Sequence, residues 1–288
     1  MKLINSSFEL LLQASGLEGI YKQIELGARN CYKSENLISE GSAERMVEFL
    51  KTRGHNSPLE HGTVYLFIPF SASLETYRDA KKYENNHYSK VRLRNDSFQL
   101  DKNGCYITTN FRVLVENNWL DDLKYLCEPT EYHEKRVSVM VTCPIGISRE
   151  FNRHRTLSVS EQSTRYCNYS KDKFGGEITF VIPEWVKKYD YFRCGEEYAV
   201  NRLNEDVACW YELLEKSEKS YLSLISKGCK PQEARDVLPL ATATIVMYTG
   251  FVSDWKHFFE LRTSAGAHPD AREIAIPLEE KFNELNLL

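Results

Sequence analysis

Three arginines, a histidine, a glutamate and several hydroxyls fall within the fourteen residues Arg153-His154-Arg155-Thr156-Leu157-Ser158-Val159-Ser160-Glu161-Gln162-Ser163-Thr164-Arg165-Tyr166. Such a set suits an anionic ligand. Forked guanidinium donors match phosphate oxygens, and a glutamate and a serine can hydrogen-bond a ribose or a base edge. On composition alone a solvated charged face accounts for the cluster equally well. A second polar stretch, Gly54-His55-Asn56-Ser57-Pro58-Leu59-Glu60-His61, offers two histidines and a glutamate. Read in isolation, these histidines cap or satisfy a loop, because a lone histidine is weakly diagnostic.

Two other chemistries use the same residues. His55, Glu60 and His61 have metal-ligand side chains suited to a hydrolase, but they lack the His-Glu-x-x-His helical spacing of such sites. Arg149, Arg153, Arg155 and Arg165 could contact nucleic-acid phosphates, with Tyr166 and Tyr169 stacking on bases. A net charge of −4 argues against a surface-wide electrostatic footprint, so any anion site is local.

These residues need elements to hold them. Ser42 followed by residues 43–51, with Gly54 beyond, reads as a capped helix that delivers the chain to the His55 loop. Residues 63–68 read as a buried strand and 136–142 as a second, alternating Val137, Val139 and Val141. Pro144 opens a short helix ending near Arg153. Residues 198–227 form a helix with Trp210, Leu213, Leu214, Tyr221, Leu222 and Ile225 on its apolar stripe, stopped by Gly228. Pro231 starts a short helix through Arg235, residues 242–251 lean to strand, and Ser253-Asp254 caps a helix through Leu261. Residues 71–135 are polar, too long for a plain loop, and carry small elements of their own. Strands and helices mix without a regular repeat, which predicts an α+β architecture.

The 288 residues, 42% apolar and 27% charged, have ordinary globular composition. No apolar run reaches membrane-spanning length and the N-terminus lacks a signal-peptide core, so a cytoplasmic protein with no membrane partner is expected. The eight cysteines show no paired short spacing. Neither a zinc cage nor a disulfide framework is predicted, and reduced, mostly buried thiols are.

The order of the residues narrows the choice. Arg153-His154-Arg155, seven residues, then Ser163, followed by Arg165-Tyr166, resembles the signature of flavin-dependent thymidylate synthases. Gly54 to His61 resembles the upstream Gly-His-x-(Ser/Thr)-Pro-x-Glu-His loop of that family. Glu233-Ala234-Arg235-Asp236-Val237-Leu238-Pro239-Leu240 is similar to its Ala-Arg-x-x-Leu-Pro segment. Phe258-Phe259-Glu260-Leu261-Arg262, then Ala267-His268-Pro269, resembles its final Leu-Arg and Ala-His elements.

This resemblance implies an antiparallel sheet flanked by helices, a single domain over 1–288 with an insertion at about 71–135 outside the family's compact core, and a homotetramer with active sites between subunits. It implies reductive methylation of dUMP to dTMP, with methylenetetrahydrofolate as carbon donor and FAD, reduced by NADPH, as hydride source. Ser163 and Arg165 are then catalytic, and Arg153, Glu161, Gln162, Ser163, Thr164, Arg165, Arg235 and Arg262 bind dUMP. His55, Ser57, Arg153, His154, Arg155, Glu161, His257 and His268 face FAD, with positive charge near the flavin ring favouring its anionic reduced form. No metal is implied, and Cys167 is not the nucleophile. No base stands beside Ser163, so polarising the pyrimidine is favoured over covalent attack. Three positions depart from the family: Glu150 where glutamine is common, a carboxylate that repels phosphate unless paired; Phe251 where a flavin-contacting asparagine is frequent; and His257 at a second such position.

Overall fold

The computed structural model describes residues 1–288 except 71–73, 100–101, 190 and 196. In chain order its elements are β1 (Lys2–Ile4), β2 (Ser7–Leu11), α1 (Gly16–Tyr32), α2 (Ser42–Arg53), β3 (Thr63–Pro69), α3 (Leu74–Glu84), β4 (Lys90–Arg94), β5 (Gly104–Asn110) and α4 (Phe111–Glu116). There follow β6 (Arg136–Pro144), α5 (Ile145–Phe151), β7 (Ser158–Glu161), β8 (Thr179–Val181), α6 (Glu184–Lys187), β9 (Tyr191–Cys194), β10 (Glu197–Val200), α7 (Glu205–Ser226), α8 (Pro231–Ala234), β11 (Ala243–Phe251), α9 (Val252–Arg262) and α10 (Pro269–Glu284). Mixed helices and antiparallel sheets make this an α+β protein, as the sequence predicts.

Two antiparallel sheets organise the chain. The first runs β2-β6-β11-β7, and the β6–β11 ladder is its spine, paired from Ala243↔Pro144 to Phe251↔Arg136. Val139, Val141, Val246 and Tyr248 pack its inner face against α5, α9 and α10, where Phe151, Trp255, Phe258, Phe259 and Phe282 fill a core of interlocked rings. The second sheet runs β3-β5-β4 and packs on α1 and α2 through Ile20, Ile24, Ala28, Val47 and Leu50. β5 is buried at every position and pairs with β3 along its whole length. The 71–135 stretch therefore supplies two of the three strands of this sheet, because β3 leaves one backbone edge that must be satisfied. A third apolar cluster joins the parallel β1–β8 pair to α7.

Several boundaries differ from the sequence reading. The predicted helix over 198–227 begins only at Glu205, where the Asn204 side chain accepts the Val207 N–H at 3.1 Å; residues 197–200 pair with β9 instead. Gly41, not Ser42, precedes the first turn of α2, and the Ser42 hydroxyl binds the Glu25 carboxylate. Phe251 occupies the N-terminal cap of α9, and Asp254 reaches back to its N–H at 3.1 Å, while Ser253 lies inside the helix and bonds Glu134. Helices α1 and α10 and strands β1 and β2 were not anticipated. Of the seven cysteines described, all free, three are buried, so the thiols are less buried than composition suggests.

Helix α1 can approach the His61 turn closely only because Gly27 has no side chain: a Cβ there would stand 2.6 Å from His61 Cδ2. The His61 ring cannot yield, being fully buried and bonded through Nδ1 to Thr249 Oγ1 at 2.8 Å. Gly27→Ala should therefore destabilise the protein. Overpacking of about 1 to 3 kcal/mol outweighs the roughly 1 kcal/mol of helix propensity that alanine contributes. The urea midpoint should fall, and a midpoint at or above that of the parent would show that the ring moves aside.

Candidate active site

The last turn of α1 positions the centre of the arginine-rich segment. Asn30, fully buried, donates through Nδ2 to the Ser160 carbonyl at 2.8 Å and to the Ile245 carbonyl at 3.0 Å, fastening β7 and β11 together. The next carbonyl, that of Cys31, accepts the Ser163 N–H at 2.9 Å as the chain leaves β7. The helix ends at Lys33, which takes the left-handed conformation (φ 49°) and returns its N–H to the final turn. Tyr32 extends from this end and packs on Tyr166, with ring centroids 5.3 Å apart, and the Arg165 guanidinium lies 5.1 Å from the Tyr166 ring.

Around this turn four predicted residues converge. The Ser163 hydroxyl accepts the Arg165 N–H at 3.2 Å, and the Thr164 hydroxyl accepts from Arg235 at 3.3 Å. The Arg165 and Arg235 side chains are both exposed. His55 and Ser57 line an adjoining cleft of about 790 Å³ together with Tyr32, Phe49 and Arg112. Glu161 is held from the other side: Ser148 donates to one carboxylate oxygen at 2.7 Å and Asn152 to the other at 3.2 Å, while Tyr248 donates to the Asn152 carbonyl oxygen at 2.9 Å. Its donors are all neutral, so its full charge is kept and only its direction is fixed. Gln162 is buried and lines a different cleft beside Lys33 and Lys173.

The remaining predicted residues gather where β7 begins. Arg262 donates to the Glu150 carboxylate at 3.0 Å, to the Glu150 carbonyl at 2.6 Å and to His154 Nε2 at 2.9 Å. The carboxylate that replaces glutamine is thus paired, as the repulsion argument required. Because Arg262 can only donate, His154 Nε2 must carry the lone pair, and the ring is neutral with its proton on Nδ1. Burial, then the charge of Arg262, then His257, push the His154 pKa down to about 4. Positive charge on this side comes from arginine, not from His154. Arg153 and Arg155 are exposed, and their guanidinium groups have no hydrogen bond or ion pair among the described residues. His257 is exposed 5.9 Å from the His154 ring, and His268 caps α10 by accepting the Asp270 N–H at 3.2 Å. Phe251 is buried, with Arg136 over its ring at 5.6 Å and Lys90 at 5.5 Å.

The other roles weighed from the sequence find little support in this geometry. Among the described residues no group of histidine, cysteine and acidic side chains could hold a metal, and Glu60 is paired with Arg112 at 2.6 Å. Tyr169 is buried and cannot stack on a base. No helix among the described residues is long and apolar enough to cross a membrane. Cys167 is fully buried, and burial raises its pKa, so it is a poor nucleophile. Asn30, the Cys31 carbonyl, Tyr32, Ser148, Asn152 and Tyr248 were not found from sequence. The Ile20, Ile24, Ala28 spacing was the available signal for α1.

The antiparallel α+β scaffold presents arginines and hydroxyls at both ends of one short strand, groups whose chemistry suits an anionic ligand. The chain belongs to the Thymidylate synthase complementing protein family, whose model matches residues 129–285. The flavin-dependent thymidylate synthase of Aquifex aeolicus (strain VF5) is 24% identical over 307 residues, covering 92% of this chain and 94% of that protein. That of Pyrococcus furiosus is 30% identical over 186 residues, covering 62% and 68%. A UMP/dUMP methylase, PolB from Streptomyces cacaoi bound with 5-Br dUMP, aligns with a TM-score of 0.45 at 18% identity, over 99% of this chain and 93% of that one.

Three described histidines are buried, His61, His133 and His154, and burial lowers the pKa of each; for His61 and His154 the shift is large enough to set an acid limit. Burial, and then the charge of Arg136, push the His61 pKa down to about 3. For both rings the folded pKa lies below the unfolded value of 6.5, so protons favour the unfolded chain. Their stabilising contribution is complete above pH 6.5 and is lost as pH falls toward 4 for His154 and 3 for His61. Urea unfolding at a series of pH values should show this decline, and His61→Asn should make it shallower. An unchanged slope in that variant would mean that His61 takes up its proton without unfolding.

Proposed function

We propose that this protein is a flavin-dependent thymidylate synthase that converts dUMP to dTMP, with methylenetetrahydrofolate as carbon donor and NADPH as reductant. The observation that carries this reading is the convergence of Ser163, Thr164, Arg165 and Arg235 at the C-terminal end of α1, within the segment matched by the family model. Arg165 and Arg235, exposed and without an acidic partner among the described residues, bind the dUMP phosphate. Ser163, held by the Cys31 carbonyl, and the fixed carboxylate of Glu161 orient the nucleoside. Ser163 and Arg165 are the catalytic pair, the hydroxyl polarising the pyrimidine while the guanidinium holds the nucleotide in register through its phosphate. Arg153 and Thr164 are further assigned substrate contacts, whereas the assigned Gln162 is buried beside another cleft and the assigned Arg262 is engaged by Glu150 and His154.

The residues present suit FAD. Arg153 and Arg155 keep their donors available, His154 is neutral and able to pack, and His55 and Ser57 open on a cleft of sufficient size. Glu161, His257 and His268 complete the assigned set. When bound, FAD supplies the hydride that finishes the methyl group. Arg153 and Arg155 would favour negative charge on the flavin ring, and burial together with the charge of Arg262 keeps His154 from taking up a proton.

The homotetramer is the assembly that the family resemblance implies, and the division of the site supports completion by a second copy. Arg153 to Arg155 precede β7 and Ser163 to Arg165 follow it, and four strand residues rise about 13 Å. A second copy brings complementary halves together across a closed symmetric interface. Exposed Phe49, Tyr166 and Leu240 supply apolar area for such contacts. The chain works as one domain in the cytoplasm, where its free thiols persist.

The test is a visible spectrum of the purified protein with FAD, followed by anaerobic NADPH, then dUMP and methylenetetrahydrofolate. A flavin that binds, bleaches and reoxidises as dTMP forms is expected, and a protein that binds no FAD overturns the reading. Arg165→Ala should weaken dUMP binding by about 2 to 4 kcal/mol in calorimetry, and unchanged affinity removes Arg165 from the site. Cys167→Ser should retain most turnover, and loss of turnover in a folded variant would instead implicate the thiol.

A further inference from the structure

Where β2 ends at Leu11, opposite Ser138, the outer edge of β6 is left without a strand partner toward Lys135, and the second sheet does not close the gap. A wedge of about 350 Å³ opens there between the sheets. Leu11, Leu126, Val137 and Leu287 make its wall largely apolar, and Tyr65 and Arg136 add polar groups. None of the residues assigned above to dUMP or FAD lines it.

Arg136 is the unusual member. Its guanidinium donates only to neutral oxygens: the Glu60 carbonyl at 3.0 Å, Thr63 Oγ1 at 3.3 Å and Ser158 Oγ at 3.2 Å. Nε is buried without a partner, and no carboxylate lies within ion-pair distance among the described residues. The nearby acids are otherwise engaged. Glu60 pairs with Arg112, Asp254 caps the Phe251 N–H, and Glu128, on the wedge wall, accepts from Ser15. The Phe251 ring and the more distant Glu60 and Asp254 charges offset only part of the cost of burying this guanidinium without an ion pair, and burial lowers its pKa to about 10. The Tyr65 hydroxyl accepts the Arg136 N–H at 3.3 Å and keeps its own proton to donate. Lys135 stands exposed at the rim.

We propose that this wedge is a second ligand site, which takes a small amphipathic anion: an aromatic or alkyl body among Leu11, Leu126, Val137 and Leu287, and a carboxylate or sulfonate facing Arg136, Tyr65 and Lys135. A mostly apolar cavity with a few convergent polar groups is the usual form of a small-molecule site. The missing counter-charge selects an anion over a neutral compound of the same shape. The site does not depend on the proposed activity.

The probe is 8-anilinonaphthalene-1-sulfonate, titrated into the folded protein and followed by fluorescence, with uncharged N-phenyl-1-naphthylamine as the comparison. Saturable binding of one sulfonate per chain is expected, roughly tenfold or more tighter than the uncharged ring system. Saturating dUMP or FAD should not displace it. Leu126→Trp, which fills the wedge, should abolish binding while leaving the melting transition cooperative, and Arg136→Met should erase the preference for the charged probe. If Arg136→Met does not fold, Leu126→Trp and the charge comparison decide. Absence of saturable binding, equal affinity for the two probes, displacement by dUMP or FAD, or undiminished binding to folded Leu126→Trp would each overturn the proposal.

Discussion

The site depends on one helix end. Asn30 sends both hydrogens of a single buried amide to carbonyls on two different strands, and the Cys31 carbonyl receives the chain as it turns away from β7. The Asn30 amide is fully buried, where an unmade partner costs more than a made one contributes. These bonds fix where β7 stops, and so where Ser163, Thr164 and Arg165 start. Without them β7 would rest on its four-residue ladder to β11 and on the side-chain bonds from Arg136 to Ser158 and from Ser148 and Asn152 to Glu161.

Around this clamp, the charges are distributed by what neutralises them. Arg262 is spent on Glu150 and His154, and in being so spent it keeps His154 neutral. Glu161 is directed by hydroxyl and amide donors that leave its charge intact. Arg153, Arg155, Arg165 and Arg235 remain exposed and lack acidic partners among the described residues. A net acidic chain thus carries a local surplus of guanidinium along one short strand, which is the electrostatic condition for drawing in a phosphate ester.

The 71–135 stretch has a structural role that its polarity conceals. β5, buried throughout, completes the hydrogen bonding of β3, and Tyr83 at the end of α3 reaches the buried Asp122 carboxylate at 2.7 Å. His133 in turn donates through Nε2 to the Leu66 carbonyl and packs against Tyr65 and Tyr106. This second sheet backs the turn carrying His55, Ser57 and His61, and the wedge with Arg136 lies where the two sheets part.

Sequence by itself determined the chemistry and much of the first sheet. The alternation of Val137, Val139 and Val141, and the β-branched run through Ile245 and Val246, encode strands through period and residue type, and the order of arginines and serine identified the family. Local signals also located α5, α8 and the end of α7. Only tertiary structure decided that residues 197–200 would be a strand, because that preference lies in a partner, β9, and not in the residues' own pattern. It decided that Glu150 is neutralised by a residue 112 positions away, that His154 is neutral, and that Asn30, ordinary in sequence, holds the site together. Each of these follows from burial and long-range hydrogen bonding. Spacing along a chain cannot express them, because they depend on which distant groups share the same dry space.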